Sequence, residues 1–207
     1  MSPVTHFFTG WILANVTPLT RREKAAVVCA AVVPDLDGLG AIPEILTRNS
    51  AHPLRWFSDY HHSLHTLAFA VVVTLATLMF VWPRRSWLVR NQKQFFHPWA
   101  TALLVFMSFH LHLLCDLVGS RGPDGYSWPI PYLMPFSQSL QLSWRGQWPL
   151  NGWQNIVITA VLLLATLLLA WKNGASPLEL ISVRANQALV AALRNRFPIK
   201  TEPSSAP

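Results

Sequence analysis

IVITAVLLLATLLLAW, residues 156–171, is the stretch that decides the fold class. It holds no charge, proline or glycine, and its only polar side chains are Thr159 and Thr166. Extended back to Trp153, it reaches the ~20 residues that a helix needs to cross a hydrocarbon core. A run this apolar on every side has no water-facing stripe, so lipid is where it can rest. Residues 63–82 and 99–118 repeat that length and apolarity. Residues 4–19 and 24–42 are weaker, and the Ala/Val run of the second ends at Pro34. These two either span or form a broken, re-entrant pair covered by the other helices. The sequence therefore predicts an all-α, polytopic membrane helix bundle with three clear and two weaker or broken membrane segments.

Composition points the same way. Of 207 residues, 52% are hydrophobic and 12% charged, about half the charged share of a soluble domain, and the mean hydropathy is +0.31. The net charge of +7 does not indicate nucleic-acid binding. Its basic residues cluster at the ends of apolar segments (Arg21, Arg22, Lys24; Arg84, Arg85, Arg90, Lys93; Lys172), as membrane-flanking anchors do. Cys29 and Cys115 sit inside apolar segments and read as small buried hydrophobes. The N-terminus lacks the basic start and small-residue cleavage site of a signal peptide and is expected to be retained.

Between the apolar segments, residues 43–60 and 119–152 are rich in Pro, Gly, Ser and Trp. The second connection is long for a structureless loop, which predicts a functional cover. After Gly174, Ser176, Pro177 and Glu179 read as N-cap, N1 proline and N3 acid. They open a basic amphipathic helix over 175–198 that lies on the membrane surface, followed by a disordered tail at 199–207. Residues 1–174 form the membrane-embedded domain. The positive-inside rule, applied to Lys and Arg alone, places the 84–93 loop, the Arg21–Lys24 turn and Lys172 in the cytoplasm, and the two long loops outside.

Ionisable side chains in membrane segments are expensive and by default functional. Here they are His6, Asp35, Asp37, His61, His62, His65, His110, His112 and Asp116. Under that orientation every one falls at the outer end of its segment, although none was used to set the orientation. His112 and Asp116 are four apart and share a helix face, as His61 and His65 would. His110 points across the helix from His112. Asp35 and Asp37 flank Leu36 where an irregular backbone could turn both inward. Mixed imidazole and carboxylate donors suit zinc, with manganese or iron as rivals, and so many candidates allow one or two ions. Taken singly, each group has a blander reading as a cap, turn or buried hydrogen bond; His52 and His97 read as interfacial residues. Ser63 lacks the elbow of a serine nucleophile.

His6 with Gly10, Pro34-Asp35-Leu36-Asp37, the His61–His65 cluster, His112 with Asp116, and Pro135-Phe136 together resemble the LexA-regulated, membrane-bound, metal-dependent hydrolases, over about residues 3–138. That family shows His-Arg-Gly before Thr-His-Ser. This chain reads His61-His62-Ser63-Leu64-His65-Thr66, so either His61 or His62 stands for the first family histidine. The resemblance implies a helical metallohydrolase with His6, Asp35, Asp37, His61 or His62, His65, His112 and Asp116 as ligands or bases, and a link to the SOS response. The family is loosely similar to zinc-dependent phospholipase C and P1 nuclease, which implies phosphoester substrates.

The expected function is a metal-dependent hydrolase at the outer face of a bacterial inner membrane, acting on a lipid or lipid-linked phosphoester. Metal-activated water is the nucleophile, Asp35, Asp37 or Asp116 the proton acceptor, and Arg121 and Arg145 of the long loop the phosphate-binding residues. Membrane lipids are the expected partners. The rivals are a metal-ion or proton transporter using the same cluster and a non-catalytic membrane stress-response protein.

Overall fold

The structure, a computed structural model, describes residues 1–88, 98–122 and 125–198, with residues 82–88 by backbone alone. The side chains of Arg84 and Arg85, and all of Arg90, Lys93, His97 and the expected tail at 199–207, lie outside the described residues. Among the described residues the chain is helical, with only isolated backbone bridges.

Helix α1 (Pro3–Leu13) starts at Ser2, whose hydroxyl accepts from Thr5 N, with proline in the first turn. Helix α2 (Arg21–Val32) opens on a full capping box between Thr20 and Glu23. At Pro34 the α-helix gives way to a 3-10 segment, Val33–Gly40, because proline has no N–H to continue the ladder. Short helices α3 (Ala41–Thr47) and α4 (Trp56–Tyr60) follow. The long helices are α5 (Leu67–Leu88), α6 (Pro98–Gly119) and α7 (Trp153–Asn173). A 3-10 turn, Pro177–Leu180, leads to α8 (Val183–Arg196).

Among the described residues, three helical stretches are long and apolar enough to cross a membrane: Arg21–Thr47, Pro98–Gly119 and Trp153–Asn173; Leu67–Val81 is a shorter apolar helix. The 24–42 segment is thus part of a continuous helical path despite its break. Helix α1 is too short to cross. Its 11 residues cover about 16 Å of a core ~30 Å thick. It packs against α2, α6 and α7, with Thr5, His6, Gly10 and Trp11 buried, which is the covered, broken arrangement. On α7, Ile156, Val161, Leu164 and Leu168 are exposed and form a face suited to lipid.

Trp11, Val27, Val28, Leu104 and Val105 form the core between α1, α2 and α6. Beside it, Glu23 is fully buried. Its Oε2 accepts from Thr20 N and Oγ1, and its Oε1 accepts from Thr101 Oγ1 at 2.8 Å, tying α2 to α6. Removing a donor from a buried carboxylate costs about 1–3 kcal/mol. Thr101→Val, nearly the same shape, is expected to lower the melting temperature in detergent, while Thr74→Val, whose hydroxyl bonds only its own helix at Ala70 O, is expected to leave it nearly unchanged.

The basic anchors gather at one end of the bundle. Lys24 Nζ pairs with Glu179 (2.9 Å), Arg21 donates to Leu180 O, and Arg194 donates to the Trp171 and Lys172 carbonyls at the end of α7.

Three sequence expectations are corrected. Helix α5 begins at Leu67 rather than residue 63. His62 adopts a left-handed φ of 76°, which a helix cannot contain, and Thr66 Oγ1 then caps by accepting from Phe69 N. The C-terminal helix begins at Val183, not at Ser176. Ser176 makes no cap; its N–H and hydroxyl donate to Asn186 Oδ1, and Ser182 caps α8 instead. Cys29 is exposed and Cys115 half-buried, because Cys29 lies on the outer side of α2.

Candidate metal centre

Four parts of the chain deliver polar side chains to the end of the bundle opposite the basic anchors: α1 gives His6, the 3-10 segment Asp35 and Asp37, the α4–α5 turn His61, His62 and His65, and α6 His112 and Asp116. His6, Asp35, His112 and Asp116 each offer one ligand atom, all within 4.8 Å of one another, a group that could hold a metal ion. On α6 the four-residue spacing works as expected, and His112 Nε2 lies 3.0 Å from Asp116 Oδ2.

The imidazole tautomers follow from their partners. His112 Nδ1 donates to the carbonyl of Ala31 (2.8 Å), so its Nε2 is free to accept. His65 Nδ1 donates to Asp37 Oδ2 (3.1 Å), which turns His65 Nε2 toward Asp116 Oδ2 (3.3 Å) and His112 Nε2 (3.1 Å). Two imidazole Nε2 atoms and one carboxylate oxygen thus face one another. A proton on His65, or a cation in its place, is what keeps lone pairs from opposing each other there. Burial disfavours the His65 imidazolium, but the carboxylates of Asp116 and Asp37 outweigh it and raise its pKa to about 9.

Asp116 is the focus of the cluster. Its Oδ1 accepts from Ser120 Oγ (2.8 Å), lies 3.1 Å from His6 Nε2 and touches the Met1 ammonium. Gln147 Nε2, a buried group of the long loop, donates to the Asp116 carbonyl. Among the described residues Asp35 Oδ2 has no hydrogen-bond partner, and Asp37 Oδ1 has His61 Nδ1 at 3.2 Å. A buried carboxylate oxygen like that of Asp35 calls for an explanation, and a cation is one. The donor set fits zinc, manganese or iron.

Asp35 and Asp37 do not share a role. On the 3-10 turn they diverge. Asp35 Oδ1 faces His112 Nε2 at 3.8 Å, whereas Asp37 bonds His65 and the Leu64 N–H and stands behind the cluster, the position of a residue that orients a ligand. Of the two histidines that the resemblance leaves open, His61 Nδ1 is 3.2 Å from Asp37 Oδ1. Among the described residues the His62 side chain makes ring contacts with His61, His65 and Trp128. Its burial, and then the neighbouring His65 and His61, lower its pKa to about 3. Neither belongs to the four-residue group, and the helical spacing expected of His61 and His65 is absent because residues 61–64 form a turn. His110 is elsewhere, as its position two before His112 implies: it donates to Phe106 O and accepts from Tyr132 Oη.

The described residues of the 119–152 connection pack over the cluster end of the bundle. Backbone bridges join Arg121 to Pro149 and Ile130 to Leu142. Ile130 is buried against Ala70, Phe109 and Leu113, and Trp128 sets its ring edge-on to His61 and His62. Asn155 binds the loop to α7 through Gly119 O, Leu150 O and Trp148 Nε1. Arg121 donates to the Arg145 carbonyl, while Arg145 is itself exposed. Ser120, Gln147 and the Ala31 carbonyl escaped sequence reading. Ser120 had a signal, being four residues after Asp116; the other two had none.

The family described as YdjM inner membrane protein matches residues 1–195. No curated protein and no solved structure matches the chain. The family description names a membrane and no activity, which agrees with the apolar helices described above. A match that runs through α1, the 3-10 segment, α6 and α8 leaves only the last residues outside it: this chain belongs to the YdjM inner membrane protein family.

Proposed function

We propose that the protein is a metal-dependent hydrolase of a lipid or lipid-linked phosphoester, working at the outer face of the inner membrane. The observation that carries this reading is the approach of His65 Nε2 and His112 Nε2 to one oxygen of Asp116, each imidazole fixed from behind by Asp37 or the Ala31 carbonyl. Imidazoles held by a second acceptor are how proteins present ligands. His6, Asp35, His112 and Asp116 would hold the ion, with His65 beside them. When bound, a divalent cation supplies Lewis acidity and acidifies water.

The rest of the chemistry falls to the chain. Asp116 has both oxygens engaged and Asp37 is committed to His65, so Asp35, with Oδ2 free of protein partners, is the proton acceptor. Trp128 and Ile130 limit water from the loop side. A transporter using the same residues would need a polar path through the bundle. Beneath the cluster Trp11, Val27, Val28 and Val105 pack together, with Ser108, Thr101 and Glu23 buried beside them, so proteoliposome flux decides between the two readings.

The outer-face placement rests on the basic anchors lying at the opposite end of the bundle. A membrane-impermeant maleimide should label Ser137→Cys, in a background lacking Cys29 and Cys115, from the periplasm; labelling only after lysis reverses the orientation. LexA control belongs to the same reading, and the transcript should rise after DNA damage.

The test is elemental analysis of detergent-purified protein together with phosphate release from phosphatidic acid in mixed micelles. Stoichiometric zinc, manganese or iron and chelator-sensitive turnover are expected; protein with no metal after purification without chelators sinks the reading. Arg121→Ala is expected to raise KM more than it lowers kcat, since a ground-state phosphate contact is lost. A fall in kcat at unchanged KM would remove Arg121 from substrate binding.

A further inference from the structure

A cleft of 470 Å³ opens beside the cluster, between the 3-10 segment and α4. It is the size of a pre-formed small-molecule site, about 300–1,000 Å³. It is lined by Leu36, Leu39, Pro43, Trp56 and Tyr60, and by Asp37. Asp37 is what joins the cleft to the cluster, because it hydrogen-bonds His65. The cleft is built rather than incidental. Glu44 staples α3 to α4 by accepting from Ser58 N and Oγ. Gly40 lets the α4 backbone come close, since a Cβ there would lie 3.0 Å from Phe57 N and 3.1 Å from Trp56 C. The outer rim is apolar and open: Leu36 is 51%, Leu39 57% and Trp56 53% exposed, and Ile42, Ile45 and Leu46 continue the patch along α3. In water such a rim is a liability. In an inner membrane protein it meets acyl chains.

We propose that this cleft binds one hydrocarbon chain of the lipid substrate and so brings the lipid's polar end to the His/Asp cluster. The inference rests on the reading above only for what happens at that polar end. The cleft matches an amphiphile, with an apolar rim continuous with the membrane-facing patch and the Asp37 carboxylate, bonded to His65, in its lining. Leu39 and Trp56 select for chain.

The test uses the full-length protein in phosphatidylcholine vesicles doped with phosphatidic acid that carries a diazirine in one acyl chain. After irradiation, labelled peptides are mapped by mass spectrometry. Label is expected on the 36–43 and 56–64 segments, competed by unlabelled long-chain phosphatidic acid but not by inorganic phosphate. Leu39→Trp, which fills the mouth, is expected to lower that competed label about tenfold, as loss of roughly two buried methylenes would. Leu46→Trp, outside the cleft, should not change it, and melting curves of both variants report folding. Cleft label that is uncompeted and equal to that on the exposed face of α7 overturns the proposal, since it marks annular lipid only. Competed label indifferent to Leu39→Trp overturns it as well. Asp116→Ala separates the two readings: competed label that persists in a metal-free, inactive protein supports the cleft whatever becomes of the hydrolase.

Discussion

Asp116→Asn is expected to strip the metal from the purified protein while leaving the bundle folded. The carboxylate accepts from Ser120 and the Met1 ammonium and faces His6 on one oxygen, and it faces His65 and His112 on the other, so it is where α1, α6 and the α4–α5 turn meet. Asparagine keeps the shape and one acceptor but removes the charge that offsets a buried cation. Loss of a residue that merely orients a ligand costs 10–100-fold in affinity, and loss of a shared carboxylate is expected to exceed about 100-fold. Asp37→Asn supplies the comparison. It acts through His65, and its loss should stay within about 10–100-fold. Elemental analysis after dialysis against graded chelator ranks the variants. An Asp116→Asn protein that holds metal as tightly as wild type, or an Asp37→Asn protein that loses more, reverses the roles given to these two residues. Asp116→Ala is the harsher version, because it also leaves Ser120, His6 and His65 without an acceptor in a buried place.

Why those groups were visible in sequence, and their roles were not, has a physical basis. A charged or imidazole side chain in an apolar stretch is conspicuous because lipid makes it costly, so His6, Asp35, Asp37, His65, His112 and Asp116 could be picked out before any fold was known. Helix periodicity then paired His112 with Asp116 correctly. It failed for His61 and His65, where the left-handed His62 ends regular geometry that spacing arguments presuppose. It was silent on Asp35 and Asp37, since a 3-10 turn sends residues two apart in different directions. Three cluster contacts come from backbone or from distant loop residues: the Ala31 carbonyl, the Leu64 N–H and Gln147. No residue type announces a carbonyl. The same limit applies to the membrane segments. Apolarity found α6 and α7 closely, yet it could not show that α1 stops after 11 residues, which depends on α2, α6 and α7 being there to cover it.

That cover is tight enough to test. A Cβ on Gly10 would lie 2.6 Å from Ala31 Cβ and 3.2 Å from Val28 Cα, and neither atom can rotate away, because both are fixed to the backbone of α2. Gly10→Ala gains about 1 kcal/mol of helix propensity, but separating two packed helices is overpacking, which costs about 1–3 kcal/mol and occasionally more. The variant is therefore expected to melt lower in detergent. It should also weaken metal binding at a distance: moving α2 at Ala31 pulls the carbonyl away from His112 Nδ1 and releases the ring that it holds. Ala31→Gly in the same chain removes the opposing methyl and is expected to restore metal content more fully than stability, since glycine inside α2 carries its own cost of about 1 kcal/mol. A Gly10→Ala protein that melts and binds metal like wild type would show that α1 and α2 are not packed at Gly10 as described. A double variant that regains the melting temperature but not the metal would cut the proposed connection between the Ala31 carbonyl and the centre.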